Sequence, residues 1–255
     1  MPGKSRRFGW VPDLPDQRDH LLTPISLTAA LALPTSADLR PLAGPIFDQG
    51  DLGSCTANAV AQHIMMDLAK QQATVITPSR LFIYYQERVL ENSVHHDAGA
   101  YLRDGIKVVA QYGSCLEKDW PYVIRQYAKK PPVTAYNNAL QHQALEYLRV
   151  TQDKDQLRGC LAAGYPFVFG FSVYESFLTA SVESYGDAPL PDPKERLLGG
   201  HAVVAVGYND STNRFRFANS WGADWGDGGF GTLPYAYLTN SNLADDIWTI
   251  RLMES

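Results

Sequence analysis

The stretch QGDLGSC at residues 49–55 decides how the rest of the chain is interpreted, because it puts a cysteine at the predicted start of a helix. From Cys55 to Gln72, apolar side chains recur at helical spacing. A helix N-terminus carries free N–H groups and a partial positive charge, which favour a thiolate over a thiol. The stretch therefore predicts a reactive cysteine, with Gln49 available as a side-chain N–H donor. Taken alone, it also fits a buried cysteine without chemical function.

Two later segments add a histidine and an asparagine. The segment GGHAVVAVGY at residues 199–208 places His201 at the mouth of an apolar strand, where an imidazole can act as a general base. The segment FANSWG at residues 217–222 ends another strand with Asn219, whose amide oxygen could accept the second imidazole N–H. Trp221 could shield that bond from water. Each segment alone also fits an ordinary structural histidine or turn asparagine.

Together the three segments resemble the papain family of cysteine peptidases. The order of cysteine, histidine and asparagine is the family's order, and WGDGGF at residues 225–230 follows as expected. His201 lies 146 residues after Cys55 (201 − 55), within the spacing of about 130–150 residues known for such enzymes. The resemblance covers about residues 36–238, beginning with SADLR at residues 36–40, which is similar to the start of the mature enzymes.

The resemblance implies a cysteine endopeptidase that forms a thioester on Cys55. It gives His201 the role of acid and base, Asn219 that of orienting the imidazole, and Gln49 with the Cys55 amide that of stabilising the oxyanion. The residues implied in substrate binding are Gly99, Ala100, Gly200 and Trp221.

The sequence departs from the family at several positions. Thr56 stands where the family usually has tryptophan, and Leu52 replaces a cysteine, so one family disulfide cannot form. Cys115 and Cys160 are expected to be buried thiols, since sequence does not show whether they approach each other. A reducing, cytoplasmic location and a bacterial-type enzyme are the interpretation adopted here, with secretion by a signal-independent route left open.

The predicted fold class is α+β, with a papain-like two-lobed fold and the active site in the cleft between the lobes. We expect an N-terminal extension at residues 1–35, a mainly helical lobe at 36–164 and a mainly antiparallel β lobe at 165–255. Predicted helices cover residues 55–72, a segment beginning at Thr77-Pro78, residues 99–112, and a segment from Asp153 to Gly164. Predicted strands cover residues 166–173, 201–208, 214–218 and 247–253.

The first 45 residues are rich in proline and show little periodicity, which predicts an extended arm without helix. One hypothesis is that residues 9–20 lie near the cleft and regulate access to it. The other is that they pack on the back of the β lobe.

Composition excludes several classes of function. The net charge of −5 disfavours nucleic-acid binding, and no apolar stretch is long enough for a membrane span. No cofactor and no metal are expected: HHD at residues 95–97 lacks a partner pair of ligands, and GDGGFG at 226–231 is not followed by a predicted helix. We expect a monomer that acts on peptide or protein substrates.

Other functions on the same fold remain open from sequence alone. One is a protein that binds peptides without turnover, and another is an acyl-transfer enzyme such as a transpeptidase or amidase. A third is a peptidase whose activity is masked by the N-terminal extension.

Overall fold

A computed structural model describes residues 6–254, without the side chain of Leu27. Residues 1–5, the first part of the predicted extension, and Ser255 lie outside the described residues. The α-helices are α1 (Leu27–Leu31), α2 (Cys55–Lys70), α3 (Arg80–Leu90), α4 (Leu102–Gln111), α5 (Val133–Ala139), α6 (Lys154–Ala162), α7 (Ala180–Tyr185) and α8 (Tyr235–Leu238).

The strands form one large antiparallel sheet and one short parallel pair. They are β1 (Trp10–Val11), β2 (Ser36–Asp38), β3 (Ala100–Tyr101), β4 (Ala144–Arg149), β5 (Phe167–Tyr174), β6 (Leu197–Asn209), β7 (Arg214–Ala218), β8 (Phe230–Pro234) and β9 (Ala244–Met253). The large sheet has seven strands in the order β4-β9-β5-β6-β7-β8, and β2 pairs with β6. The short pair joins β1 to β3.

Helix α2 is the centre of the helical lobe. The helical spacing of its apolar side chains predicted one buried face. In the structure all residues from Cys55 to Leu68 are buried, so the helix is enclosed on every side. The helix packs against α3 and α4 and, across the lobe boundary, against β6 and β9. Small alanine side chains let these elements approach, so α2 links the two lobes and holds its N-terminus at their junction.

The β lobe has its own core on the other side of the sheet. Aromatic side chains that alternate along β5 and β7 pack there, among them Phe167, Phe169, Phe171 and Phe217. Alternation places one set of side chains on each face of a strand, which explains why two cores share one sheet. The predicted α+β arrangement of helices and a large antiparallel sheet is confirmed.

Several element boundaries differ from the sequence predictions. Ser79, and not Thr77, caps α3, since its hydroxyl accepts the N–H of Phe82. The helix predicted from residue 99 begins at Leu102, because Ala100 and Tyr101 pair with β1. Asp153 does cap α6 as predicted.

Some elements were not predicted at all. The N-terminal arm contains α1, which Ser26 caps. Strand β4 falls within the range expected to be mainly helical, and pairs with β9. Within residues 6–254, no helix is long and apolar enough to cross a bilayer.

Candidate active site

Cys55 is the first residue of α2, at the junction of the two lobes, and its side chain is fully buried. Ser54 precedes it but does not cap the helix with its hydroxyl, which instead lies 2.5 Å from the Tyr122 hydroxyl. The backbone N–H groups of Ala202, Gly9 and Thr56 lie near the sulfur and favour its ionised form. Burial outweighs these donors and raises the pKa of the Cys55 thiol to about 12.

His201 and Asn219 meet across two neighbouring strands. His201 lies on β6 next to Ala202, whose backbone N–H lies near the Cys55 sulfur. The imidazole Nε2 is 2.8 Å from Asn219 Oδ1. Among the described residues, no group hydrogen-bonds to the other ring nitrogen, Nδ1. Asn219 thus fixes the ring and leaves Nδ1 as the nitrogen that can exchange a proton with a thiol.

Trp221 covers the His201–Asn219 pair. Its ring stacks on the imidazole at a centroid distance of 4.9 Å and an interplanar angle of 29°. Burial lowers the pKa of His201 to about 4, although the hydrogen bond to Asn219 acts in the opposite direction. Burial under the arm therefore favours the neutral imidazole.

Gln49 lies beside the cysteine, and both the oxygen and the nitrogen of its side-chain amide are hydrogen-bonded. Its Oε1 accepts a hydrogen bond from the Ser220 hydroxyl at 2.6 Å. Its Nε2 donates to the Leu52 carbonyl at 2.8 Å and to the Arg7 carbonyl at 3.2 Å. The N–H that binds the Arg7 carbonyl is the one that a substrate carbonyl could use. The Arg7 carbonyl therefore occupies the place of a substrate carbonyl.

The N-terminal arm runs through the cleft, over the cysteine. The Gly9 carbonyl accepts the N–H of Ala100 at 2.7 Å. A Cβ atom on Gly9 would lie 1.8 Å from the Gly53 carbonyl oxygen, and one on Gly99 would lie 2.1 Å from the Gly9 oxygen. Only glycine fits at Gly9, and the predicted substrate strip at Gly99 and Ala100 is occupied by the arm.

On either side of Gly9, aromatic side chains fill the cleft. Phe8 contacts the rings of His201 and Trp221 at centroid distances of 6.4 and 6.3 Å. Trp10 packs on Gly200, where an added Cβ would lie 2.6 Å from the indole ring. Gly200, predicted to bind substrate, therefore contacts the arm instead.

Ion pairs hold the arm on both sides of this segment. Arg7 Nη1 lies 2.7 Å from Asp97 Oδ2, and Arg103 Nη2 lies 2.7 Å from Asp19 Oδ2. Arg103 also donates to the Leu14 carbonyl at 2.6 Å. The arm is thus attached to the helical lobe along its length.

The structure brings the predicted residues together and adds others. All eight residues chosen from sequence line the cleft or contact the arm within it: Cys55, His201, Asn219, Gln49, Gly99, Ala100, Gly200 and Trp221. The sequence did not single out Gly170 and Asp246, and it placed Trp10 near the cleft only as part of residues 9–20, in one of two hypotheses. Their only signals were a tryptophan in a polar arm, a glycine inside an apolar strand and an acidic pair at the start of another.

The other cysteines take no part in this site. Cys115 and Cys160 are free, buried thiols. In the part of the chain that the structure describes, no group of three or more His, Cys, Asp or Glu side chains could hold a metal ion.

A cysteine at a helix N-terminus, facing a histidine and asparagine on a β lobe, defines a two-lobed cysteine peptidase. Comparison with known families agrees: the model of the papain family cysteine proteases matches residues 33–247. The chain belongs to this family, and it is a papain-like thiol protease.

Similar proteins include a solved structure and a curated relative. The chain is 43% identical to xylellain, a cysteine protease from Xylella fastidiosa, with a TM-score of 0.90 over 98% of this chain and 99% of that one. It is 40% identical, over 97% of its length and 87% of the relative, to an uncharacterized peptidase C1-like protein of Acanthamoeba polyphaga mimivirus. Procathepsin B S9 from Trypanosoma congolense shares the fold, with a TM-score of 0.69 at 18% identity over 88% of this chain and 79% of that one.

Proposed function

We propose that this cysteine peptidase uses Cys55 as its nucleophile and His201 as its acid and base. The observation that carries the assignment is the fixed imidazole: Nε2 is bound to Asn219 at 2.8 Å, and Nδ1 is left without a partner among the described residues. Ala202, the next residue, has its backbone N–H near the Cys55 sulfur. The nitrogen that can transfer a proton, His201 Nδ1, thus belongs to the residue before Ala202, close to the thiol.

The reaction follows from these positions. His201 Nδ1 takes the proton of Cys55, and the thiolate attacks the carbonyl carbon of a peptide bond. The oxygen gains negative charge, which the N–H of Gln49 and the backbone N–H of Cys55 stabilise. His201 returns the proton to the leaving amine, so the C–N bond breaks and a thioester remains on Cys55. His201 then deprotonates a water molecule, which hydrolyses the thioester and restores the thiol.

The arm residues 6–14 are proposed to keep this machinery closed. The backbone N–H of Gly9 lies against the Cys55 sulfur, and the Arg7 carbonyl accepts the Gln49 N–H that would otherwise be free for a substrate. Burial under the arm favours the neutral thiol and the neutral imidazole, and removing the arm would admit water and favour the thiolate–imidazolium pair.

The direction of the arm supports its role as a blocking segment. It runs from Phe8, beside Trp221, past Gly9 to Trp10, which is paired with Ala100. A substrate that places its acyl residues along Ala100 and its leaving residues beside Trp221 runs the opposite way. The arm therefore does not present a peptide bond to Cys55 in the orientation of a substrate.

Labelling with a peptidyl epoxide tests the assignment. We expect slow alkylation of the full-length protein under reducing conditions, and faster alkylation of the Gly9→Ala variant, whose added methyl group collides with Gly53. Peptide mapping should place the label on Cys55, and His201→Ala should abolish it. Labelling of another residue, or equal labelling of the His201→Ala variant, would contradict the proposal. Added amine nucleophiles in a turnover assay distinguish acyl transfer from hydrolysis.

A further inference from the structure

The Tyr122 hydroxyl joins the two ends of the loop that carries the oxyanion donors. This loop runs from Gln49, whose side chain supplies one N–H, to Ser54, whose peptide bond with Cys55 supplies the other. The hydroxyl donates a hydrogen bond to the Gln49 carbonyl at 2.9 Å. Its oxygen also lies 2.5 Å from Ser54 Oγ. One phenol group therefore fixes both the start and the end of the loop.

The single proton of each hydroxyl sets the direction of these bonds. A carbonyl oxygen only accepts, so Tyr122 donates to Gln49, and the Ser54 hydroxyl donates to Tyr122. Asn58 Nδ2 donates in turn to Ser54 Oγ at 3.0 Å and to the Ser54 carbonyl at 2.8 Å. Three hydrogen bonds thus run in one direction and strengthen one another. Because the Ser54 carbonyl and the Cys55 N–H share one peptide plane, the bond from Asn58 also fixes the direction of that N–H.

Tyr122 is itself held firmly in the helical lobe. The Arg80 guanidinium lies over its ring, 4.0 Å from the ring centroid, and its backbone N–H donates to Glu117 Oε1 at 2.8 Å. Arg80 and Glu117 form an ion pair at 3.0 Å. Burial raises the pKa of Tyr122 to about 12, so the hydroxyl keeps its proton at neutral pH. The loop therefore receives a permanent and well-oriented donor.

We propose that Tyr122 is a positioning residue for the oxyanion site, acting through Gln49 and the Ser54–Cys55 peptide bond. This inference rests on the proposed function and deepens it. The hydroxyl bonds to the loop and not to the reacting atoms, so it acts by aiming the two N–H donors. Its contribution belongs to the steps in which a carbonyl oxygen gains charge, both when the thioester forms and when it is hydrolysed.

The Tyr122→Phe variant in the Gly9→Ala chain removes the hydroxyl and keeps the ring beneath Arg80. Loss of a whole oxyanion donor lowers kcat by about 100- to 1,000-fold, and a donor that stays but is less well aimed should lose part of this. We expect kcat for a peptide anilide to fall about tenfold, with KM within about twofold of the parent. Tyr136→Phe is the matched control, because this half-buried tyrosine of the same lobe donates to Gln86 Oε1 at the same distance, 2.9 Å. It should leave kcat unchanged.

Alkylation by iodoacetamide separates the aiming of oxyanion donors from a general disturbance of the site. The Cys55 thiolate displaces iodide, so a carbon–sulfur bond forms and no carbonyl oxygen gains charge. Peptide mapping should show that Tyr122→Phe keeps the rate constant for Cys55 within about twofold of the parent while kcat falls. A parallel fall of both rates would assign Tyr122 a merely structural role and overturn the proposal, as would an unchanged kcat.

Two further variants locate the effect. If the hydroxyl acts through the Gln49 donor, Tyr122→Phe should cost no more than about threefold in kcat when it is added to Gln49→Ala. The full tenfold loss in that background would contradict the coupling. Ser54→Ala breaks the same chain of bonds one step earlier, and it replaces Tyr122→Phe if that variant does not fold. It should lower kcat about threefold without slowing alkylation, and an unchanged kcat would contradict the proposal.

The parent protein separates this inference from the proposed function. Absence of both turnover and Cys55 alkylation in the Gly9→Ala parent would contradict the proposed function, and this inference with it. Turnover and alkylation in the parent, with a kcat that Tyr122→Phe does not change, would contradict the positioning role alone.

Discussion

Glu87 is a buried carboxyl group that packs behind the first turn of α2. The Thr56 hydroxyl donates to its Oε2 at 3.0 Å, and Gly105 leaves room for it, because an added Cβ would lie 2.5 Å from Oε1. Burial raises the pKa of Glu87 well above its usual value of 4.5. The raised pKa favours the protonated, neutral form of Glu87, whose carboxyl group contacts Thr56, the residue after the nucleophile.

The Glu87→Gln variant tests this protonation state. Native Glu87 keeps its proton at pH values where the unfolded chain has lost it, so unfolding releases a proton above about pH 4.5. Stability should therefore fall as pH rises from there toward the native pKa, by about 1.4 kcal/mol per pH unit from this group. Urea unfolding at pH 5 and pH 8 should show a smaller loss for Glu87→Gln than for the parent. An equal loss in both proteins would mean that Glu87 is ionised in the native state.

At the scale of elements, strands β6 and β7 set the catalytic geometry. They pair with Val204 opposite Ala218, and Asn219 follows directly where β7 ends. His201 lies three residues before Val204 on the neighbouring strand, so the side chains of His201 and Asn219 reach each other across the ladder. The sheet, and not a flexible loop, fixes the orientation of the imidazole.

Replacing Asn219 by alanine should therefore affect chemistry more than substrate binding. A hydrogen bond to a charged partner contributes about 1.5–3 kcal/mol, so we expect kcat to fall by about 10- to 100-fold with little change in KM. Steady-state kinetics in the Gly9→Ala background measure both values. Asn242→Ala, at an exposed turn position, is the matched control and should change neither. An increase in KM with normal kcat would contradict the orienting role of Asn219.

Elements with strong local signals were predictable from the sequence, and those that depend on distant partners were not. Strand β7 was predicted with its observed bounds, Arg214–Ala218, because a polar turn precedes it and apolar residues alternate. Strand β4 was missed, since its sequence ALEYLR lacks β-branched residues and its pairing with β9 supplies the structure. Helix α1 was missed because the nearby prolines suggested an extended chain.

The same distinction applies to the site. Cys55, His201 and Asn219 lie in short motifs that carry their own chemical meaning. Trp10 and Asp246 are 236 residues apart in sequence, and neither belongs to such a motif. Only the path of the arm through the cleft brings them together.

At the scale of the whole molecule, the arm connects the two lobes across the active site. Arg6 Nη2 lies 3.6 Å from Glu183 on the β lobe, and Arg7 pairs with Asp97 on the helical lobe. Further along, the Leu22 N–H donates a backbone hydrogen bond of 2.8 Å to the Arg149 carbonyl. Opening the cleft therefore requires the release of contacts with both lobes.

Hydrogen exchange at Ala100 reports the position of the arm. Its N–H is bound to the Gly9 carbonyl at 2.7 Å, so it should exchange slowly in the full-length protein and at least tenfold faster in Gly9→Ala. Leu14→Ala, which changes a side chain that is 75% exposed on the same arm, should keep the slow rate. Fast exchange in the parent would show that the arm is not seated in solution.

The most direct test of the central claim is to trap the acyl-enzyme. The Gly9→Ala variant is mixed with a peptide ester, quenched in acid within its first turnovers, and examined by mass spectrometry after digestion. We expect the acyl mass on the peptide that contains Cys55, decaying as product forms, and its absence in His201→Ala. Product release at a normal rate without an adduct on Cys55, or with the adduct on Cys115 or Cys160, would contradict the assignment of Cys55 as the nucleophile.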